Sequence, residues 1–139
     1  NKFKSLESIA EEKSHLLKEL SSNGCAILNQ DNSHVATMAV SPKTKVIRFG
    51  KSELADIRLL NAESRWPERL QLSISVNNTT YEIETRLIGT HWVPTILAAL
   101  STANHCGISI PDAIDTIRCN YSDPLTKGSL GTGNPARLC

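Results

Sequence analysis

The sequence has few aromatic residues and almost no net charge. Only 4% of its 139 residues are aromatic, and 15 basic residues against 14 acidic ones give a formal net charge of +1. This balance argues against a nucleic-acid binder that works through a strongly basic surface, and against an acidic solvating tail. No apolar run approaches the ~20 residues that a membrane-spanning helix needs. We therefore expect no nucleic-acid partner and no membrane association.

The four cysteines lack the spacing of a metal or redox site. None belongs to a C-x-x-C pair, and no cysteine–histidine cluster has zinc spacing. Cys25 and Cys106 lie in apolar stretches, which predicts reduced core residues of a cytoplasmic protein, because disulfides are rare without a secretory context. The chain begins at Asn1 with no methionine and no signal-peptide segment, and we interpret this start as a cut through a longer chain.

The first part of the chain predicts alternating helices and strands. Apolar residues recur at helical spacing in the first segment, where Ser8 and Glu11 fit a capping box and Ser5 is the alternative cap. A short apolar run followed by polar residues is typical of a buried parallel strand that ends in a loop. The predicted order is helix, strand, short helix, strand, over 5–20, 24–28, 33–40 and 45–50. This alternation favours an α/β layered unit.

The middle of the chain changes to strict alternation of apolar and polar residues. A strand is predicted over 55–61, and two alternating runs at 70–76 and 81–87 flank the turn Asn77-Asn78. These runs predict an antiparallel hairpin with one face in water. Two helices follow, over 92–106 with Thr90 as N-cap, and over 110–118. Residues 120–139 are richer in glycine and proline and predict a loop or linker.

Two features are candidates for chemistry. Lys13 lies seven residues after Leu6, on the apolar stripe of the first helix. It is either a packed stem whose ammonium reaches solvent or a partly desolvated, functional amine. The second feature is Gly89-Thr90-His91 at a helix start, where backbone N–H groups attract phosphates or polar ligand edges. Trp92 there is either a flat stacking surface or a core residue.

Three segments resemble the central ATPase domain of the Mur ligases, which build the peptide stem of bacterial cell-wall precursors. The run over 3–13 resembles a phenylalanine, serine, glutamate, isoleucine-alanine, lysine run of that family. The run over 24–32 resembles its strand ending in Leu-Asn-Ala-Asp-Asp. The run over 89–100 resembles its Gly-x-His-Asn-x-x-Asn-Ala-Leu-Ala-Ala motif. The resemblance covers about 3–118 and is nearest to the branch that adds D-alanyl-D-alanine.

The resemblance implies roles for particular residues. The lysine that matches Lys13 is carbamylated in several members and then helps to hold Mg²⁺, a cation that prefers oxygen ligands. The nucleotide side of the site is implied at His91, Trp92 and Thr95, and more loosely at Asn29 and Asp31. Trp92 and Thr95 replace the two asparagines of the family motif, so adenine recognition is lost or depends on stacking, because tryptophan only stacks and donates.

The resemblance also implies a domain arrangement and an activity. Residues 1–119 are expected to be the C-terminal half of a Mur ligase central domain, with a half of a parallel α/β sheet, an antiparallel hairpin and flanking helices. Residues 120–139 are a linker, a truncated start of the next domain or an added tail. The implied enzyme is a cytoplasmic monomer that uses ATP and Mg²⁺ to join a UDP-linked muramoyl peptide to D-alanyl-D-alanine through an acyl phosphate. This piece alone is expected to be inactive and marginally stable.

Two alternatives stay open from the sequence. A folylpolyglutamate or cyanophycin synthetase uses a related scaffold, and the choice of substrate lies in domains outside this segment. A non-catalytic α/β module that only binds a partner is the other alternative, and the replaced asparagines favour it.

Overall fold

The computed structural model describes residues 5–21 and 23–119. The predicted linker at 120–139 lies outside the described residues. Ten elements follow one another along the described chain: α1 Leu6–Lys18, β1 Cys25–Asn29, α2 Ser33–Ala36, β2 Lys45–Gly50, β3 Ile57–Glu63, β4 Gln71–Val76, β5 Thr79–Glu84, a 3₁₀ turn Thr90–Trp92, α3 Val93–His105 and α4 Ile110–Cys119. The predicted α/β class with an added hairpin is confirmed.

The five strands form one mixed sheet in the order β1-β2-β3-β4-β5. β1 and β2 are parallel, with Cys25 opposite Lys45 and Asn29 opposite Phe49. β3 continues the parallel direction but pairs with β2 at only two positions, Phe49 with Ile57 and Gly50 with Arg58. The carboxyl end of β2 therefore meets the beginning of β3, and β3 extends beyond the parallel part of the sheet.

The predicted hairpin is confirmed as the antiparallel pair β4–β5, although its second strand runs over Thr79–Glu84 and not over 81–87. Asn77 and Asn78 form its two-residue turn with φ of 50° and 63°. Asparagine tolerates this left-handed conformation, which matches the twist of the flanking strands. β4 also pairs antiparallel with β3, so β3 joins the parallel and antiparallel parts of the sheet.

The core lies between the sheet and α3. Inward residues of β4 alternate with more exposed ones, and α3 presents a buried stripe at helical spacing: Val93, Ile96, Leu97, Leu100 and Ser101. The Ser101 hydroxyl is fully buried and donates to the Leu97 carbonyl at 2.8 Å, which satisfies it inside the core. α3 packs on β1, β2 and β3, and α4 packs on α3 and β5.

Several local predictions need correction. The N-cap of α1 is Ser5, whose hydroxyl accepts the Ser8 N–H at 3.2 Å, and not Ser8 with Glu11. β3 runs over Ile57–Glu63 and not over 55–61. Just before it, the Asp56 carboxylate accepts the Arg48 N–H at 2.7 Å, and the Asp56 N–H donates to the Arg48 carbonyl at 2.8 Å. The short helix ends at Ala36, four residues before the predicted end at Val40.

The cysteine prediction is partly wrong. Cys25 and Cys106 are both free thiols, as expected, but Cys106 is exposed at the end of α3. Cys25 is half-buried at the beginning of β1, and this burial raises the pKa of its thiol above the ordinary value. Among the described residues, no helix is both long enough and apolar enough to cross a membrane.

Candidate functional site

The Asp31 carboxylate links the loop after β1 to the end of β2 by a hydrogen bond. Asn29 ends β1, and its side-chain oxygen accepts the Asp31 N–H at 2.9 Å, which turns the chain back. The Asp31 carboxylate then accepts the Lys51 N–H at 2.7 Å, just after β2. The structure thus gives Asn29 and Asp31 a shared role in shaping this edge of the sheet.

Gly50 is required where Asp31 approaches β2. Its φ is +143°, and a Cβ there would lie 2.6 Å from the nearer Asp31 carboxylate oxygen. A side chain at position 50 would therefore both strain the backbone and displace the carboxylate. The close approach of Asp31 depends on glycine at this position.

A cavity of about 680 Å³ opens beside this edge. Its walls come from the loops after β1 and β2, from β3 and from the start of α3. The lining residues include Asp31, Lys51, Arg58, Asn61, Thr90 and Pro94. The volume lies within the ~300–1,000 Å³ range of small-molecule sites. Ligands of open α/β sheets bind outside the carboxyl ends of the parallel strands, where this cavity lies.

Two cationic side chains line this cavity, and sequence reasoning missed both. Lys51 is exposed, and Arg58 is half-buried at the beginning of β3. The Arg58 Nη2 donates to Glu53 at 3.1 Å, whereas its buried Nε has no hydrogen-bond partner among the described residues. A basic residue directly after a parallel strand, as in Gly50-Lys51, was the signal available in the sequence.

The entry to α3 is fixed by the segment that follows β3. The Gly89 N–H donates to the Ser64 hydroxyl at 2.8 Å. Gly89 has φ of +95°, and a Cβ there would lie 2.6 Å from Nδ1 of the His91 ring. The predicted N-cap at Thr90 is wrong: a 3₁₀ turn precedes α3, and neither start has a side-chain cap. Thr90 is instead exposed and lines the cavity.

The predicted nucleotide residues of the 3₁₀ turn and of α3 lie beside the cavity and do not line it. His91, Trp92 and Thr95 are all exposed. Trp92 keeps 39% of its surface accessible, so the core interpretation of Trp92 is wrong. Its ring lies 5.5 Å from that of His91, tilted by 41°. An exposed indole beside a polar cavity is available for stacking on a planar ligand.

Lys13 lies apart from this region. It is exposed on α1, which packs against α2, and no described residue of α1 lines the cavity. Of the two interpretations of Lys13, its exposure agrees with an ammonium that reaches solvent and not with a partly desolvated amine. Within residues 5–21 and 23–119, no group of three or more His, Cys, Asp or Glu side chains is placed to hold a metal ion. The described residues thus do not by themselves form a magnesium site, and the role of Lys13 stays a prediction.

The fold and the cavity together define an α/β domain with a cavity at the carboxyl ends of its parallel strands, where ligands of open α/β sheets bind. The model of the Mur ligase middle domain matches residues 1–103. The chain belongs to this family.

Curated relatives carry two different ligase names. The UDP-N-acetylmuramate–L-alanine ligase of Aromatoleum aromaticum is 32% identical over 99 residues, 70% of this chain and 21% of the relative. The UDP-N-acetylmuramoyl-tripeptide–D-alanyl-D-alanine ligase of Mycobacterium tuberculosis is 27% identical over 108 residues, 78% of this chain and 21% of the relative. The chain thus spans about a fifth of the length of these relatives.

Solved structures of the same family share the fold. A UDP-N-acetylmuramoyl-L-alanyl-D-glutamate–2,6-diaminopimelate ligase superposes with a TM-score of 0.71 at 21% identity, over 93% of this chain and 26% of that one. MurF ligase from Thermotoga maritima, solved in complex with ADP, superposes with a TM-score of 0.64 at 18% identity, over 79% of this chain and 26% of that one. The predicted relation to Mur ligases is confirmed.

The contact between Asp31 and Gly50 generates a stability prediction. We expect Gly50→Ala to lower the free energy of unfolding by ~2–3 kcal/mol, from strain at positive φ plus displacement of the carboxylate. Gly107→Ala is the matched control, because Gly107 has φ of +86° but no atom within 4 Å of the place that a Cβ would take. It should cost only about 1 kcal/mol. Urea unfolding measures both.

An Asp31→Ala protein shows how much of the cost of Gly50→Ala comes from the Asp31 carboxylate. In an Asp31→Ala protein, the additional cost of Gly50→Ala should shrink by about 1 kcal/mol, because the displaced group is gone. Equal costs for the two glycine substitutions, or strict additivity with Asp31→Ala, would contradict a direct contact between Asp31 and position 50.

Proposed function

We propose that this chain is the nucleotide-side part of an ATP-dependent amide ligase of cell-wall precursor synthesis. Membership of the Mur ligase middle-domain family is the observation that carries the proposal. In the proposed reaction a substrate carboxylate attacks the γ-phosphorus of ATP and releases ADP. An amine then displaces phosphate from the acyl phosphate and forms the amide bond. The whole reaction needs parts of a ligase beyond the fifth of its length that this chain spans.

The nucleotide base is proposed to lie on Trp92. Trp92 is exposed at the start of α3, directly after His91 and next to the cavity-lining Val93. Thr95 lies about one helical turn further and is also exposed. An indole stacks on any purine, whereas an amide pairs with one base edge. Stacking therefore suits a site where Trp92 and Thr95 stand in place of asparagines.

Asn29 and Asp31 support this nucleotide side indirectly. Asp31 lines the cavity while its carboxylate holds the Lys51 N–H. Asn29 stabilises the turn that presents Asp31. We propose that the pair fixes the shape of the edge against which the nucleotide lies.

Magnesium is part of the proposal only through Lys13. A carbamate on Lys13 would supply the oxygen ligands that Mg²⁺ prefers. Its exposure leaves the amine accessible to carbon dioxide. Since the described residues gather no further metal ligands, the other ligands are proposed to come from beyond them.

The proposed carboxylate substrate is a UDP-linked muramoyl peptide, and the proposed amine is D-alanyl-D-alanine. Relatives named for D-alanyl-D-alanine addition and for L-alanine addition both match the chain. The run over 3–13 favours D-alanyl-D-alanine addition. We propose a cytoplasmic enzyme, because its substrates are cell-wall precursors made before export. We also propose that the complete enzyme is a monomer.

The base contact is tested with the fluorescence of the two tryptophans. In a Trp66→Ala protein, emission from Trp92 should be quenched by ADP, because a stacked purine lies against the indole. In a Trp92→Ala protein, ADP should leave the emission of Trp66 unchanged, and the affinity for ADP should fall at least about fivefold. Trp66 is the matched control since it is 77% exposed, lies in the loop between β3 and β4 and does not line the cavity. Quenching that persists in Trp92→Ala would contradict the proposal.

The amine is tested by phosphate release from ATP in a complete ligase that contains this segment. We expect release that depends on UDP-N-acetylmuramoyl-tripeptide and D-alanyl-D-alanine, and little with UDP-N-acetylmuramate and L-alanine, because substrate binding must precede phosphoryl transfer. The reverse preference would keep the ligase class but overturn the proposed amine. Release with neither pair would overturn the function.

A further inference from the structure

Lys51 and Arg58 concentrate positive charge at one side of the cavity. Both line it, from the loop after β2 and from the beginning of β3. The parallel register pairs Arg58 with Gly50, the residue directly before Lys51. The single carboxylate in the described lining is that of Asp31, and it already accepts the Lys51 N–H. The local charge of the lining is therefore positive.

The guanidinium of Arg58 is incompletely satisfied. Its Nη2 contacts Glu53 at 3.1 Å, but the Glu53 side chain is 82% exposed. An ion pair with so exposed a partner contributes little, because water and salt screen it. The Arg58 Nε is buried and has no hydrogen-bond partner among the described residues. Turning this guanidinium toward an acceptor in the cavity would exchange a weak contact for a charge-assisted one.

We propose that this cavity binds a phosphate-class anion through Lys51 and Arg58. Arg58 supplies a planar fork that suits two oxygens of one phosphate, and Lys51 supplies a mobile point charge. The Thr90 hydroxyl at the opposite rim belongs to an exposed residue and is available to donate a further hydrogen bond. The site is distinct from the stacking surface of Trp92, since Trp92 does not line the cavity. The proposal does not depend on the ligase reaction, because it concerns only the binding of the anion.

The test is a calorimetric titration of the full 139-residue chain with inorganic pyrophosphate at low salt. We expect binding that weakens as salt rises. Lys51→Gln and Arg58→Gln should each weaken it at least about tenfold, since each removes a charge-assisted hydrogen bond. Lys43→Gln and Arg65→Gln remove exposed positive charges outside the cavity and should stay within about twofold of the unmodified chain.

Thermal unfolding of each variant is recorded alongside. Lys51 is exposed, so we expect Lys51→Gln to keep the fold. If Arg58→Gln does not fold, the affinity of Lys51→Gln for pyrophosphate tests the proposal. No binding of pyrophosphate by the folded chain, equal binding by Lys51→Gln, or equal losses in the Lys43 and Arg65 controls would overturn the proposal.

Competition with ADP identifies the source of the phosphate. Displacement of pyrophosphate by ADP supports a site for the phosphates of a nucleotide. Simultaneous binding of both supports a site for a free phosphate or for the phosphate of another substrate. The competition also separates this proposal from the stacking proposal: pyrophosphate binding that depends on Lys51 stands even where ADP fails to quench Trp92.

Discussion

The packing of α3 on the sheet is the constraint on which the rest of the structure depends. Leu97 and Leu100 are each 1% exposed, and the helix contacts all three parallel strands. Apolar burial is the dominant favourable term in folding, and this stripe of α3 forms one side of the core. The same packing positions the candidate site, because it places the start of α3 at the carboxyl ends of β1 and β2.

A cavity lies at that edge of the sheet, and contacts of both the backbone and the side chains shape it. β3 pairs with β2 at only two positions and extends beyond the end of β2, while it pairs with β4 from Ile57 to Glu63. Asp31 draws the loops after β1 and β2 together, and Ser64 holds Gly89 at the other side. Asp31 and Lys51 of the first contact line the cavity, and Thr90 follows directly after Gly89 of the second. The remaining walls come from β3 and from the start of α3.

Much of this fold was predictable, because apolar periodicity reports directly on burial. The alternation in β4 and the Asn77-Asn78 turn indicated the hairpin, and the bounds of β2 were correct. The chemistry of the site was harder, because it depends on contacts between loops distant in sequence. Asp31 was implied by the family resemblance, but its contact with Lys51 spans twenty positions. Lys13 shows the opposite case: its place on an apolar stripe left a solvent-reaching ammonium and a partly desolvated amine as alternatives, and α1 leaves the residue exposed.

The central claim is that α3 and the carboxyl ends of β1 and β2 form one nucleotide-binding edge. The most direct measurement is an NMR titration of the isotope-labelled chain with ADP, following each backbone amide, which detects weak binding as well as tight binding. The account predicts that the largest shifts fall on the amides of Asp31, Lys51, Arg58 and Trp92, with little change in α1. Shifts confined to α1 or to the β4–β5 hairpin, or no shifts at saturating ADP, would contradict it.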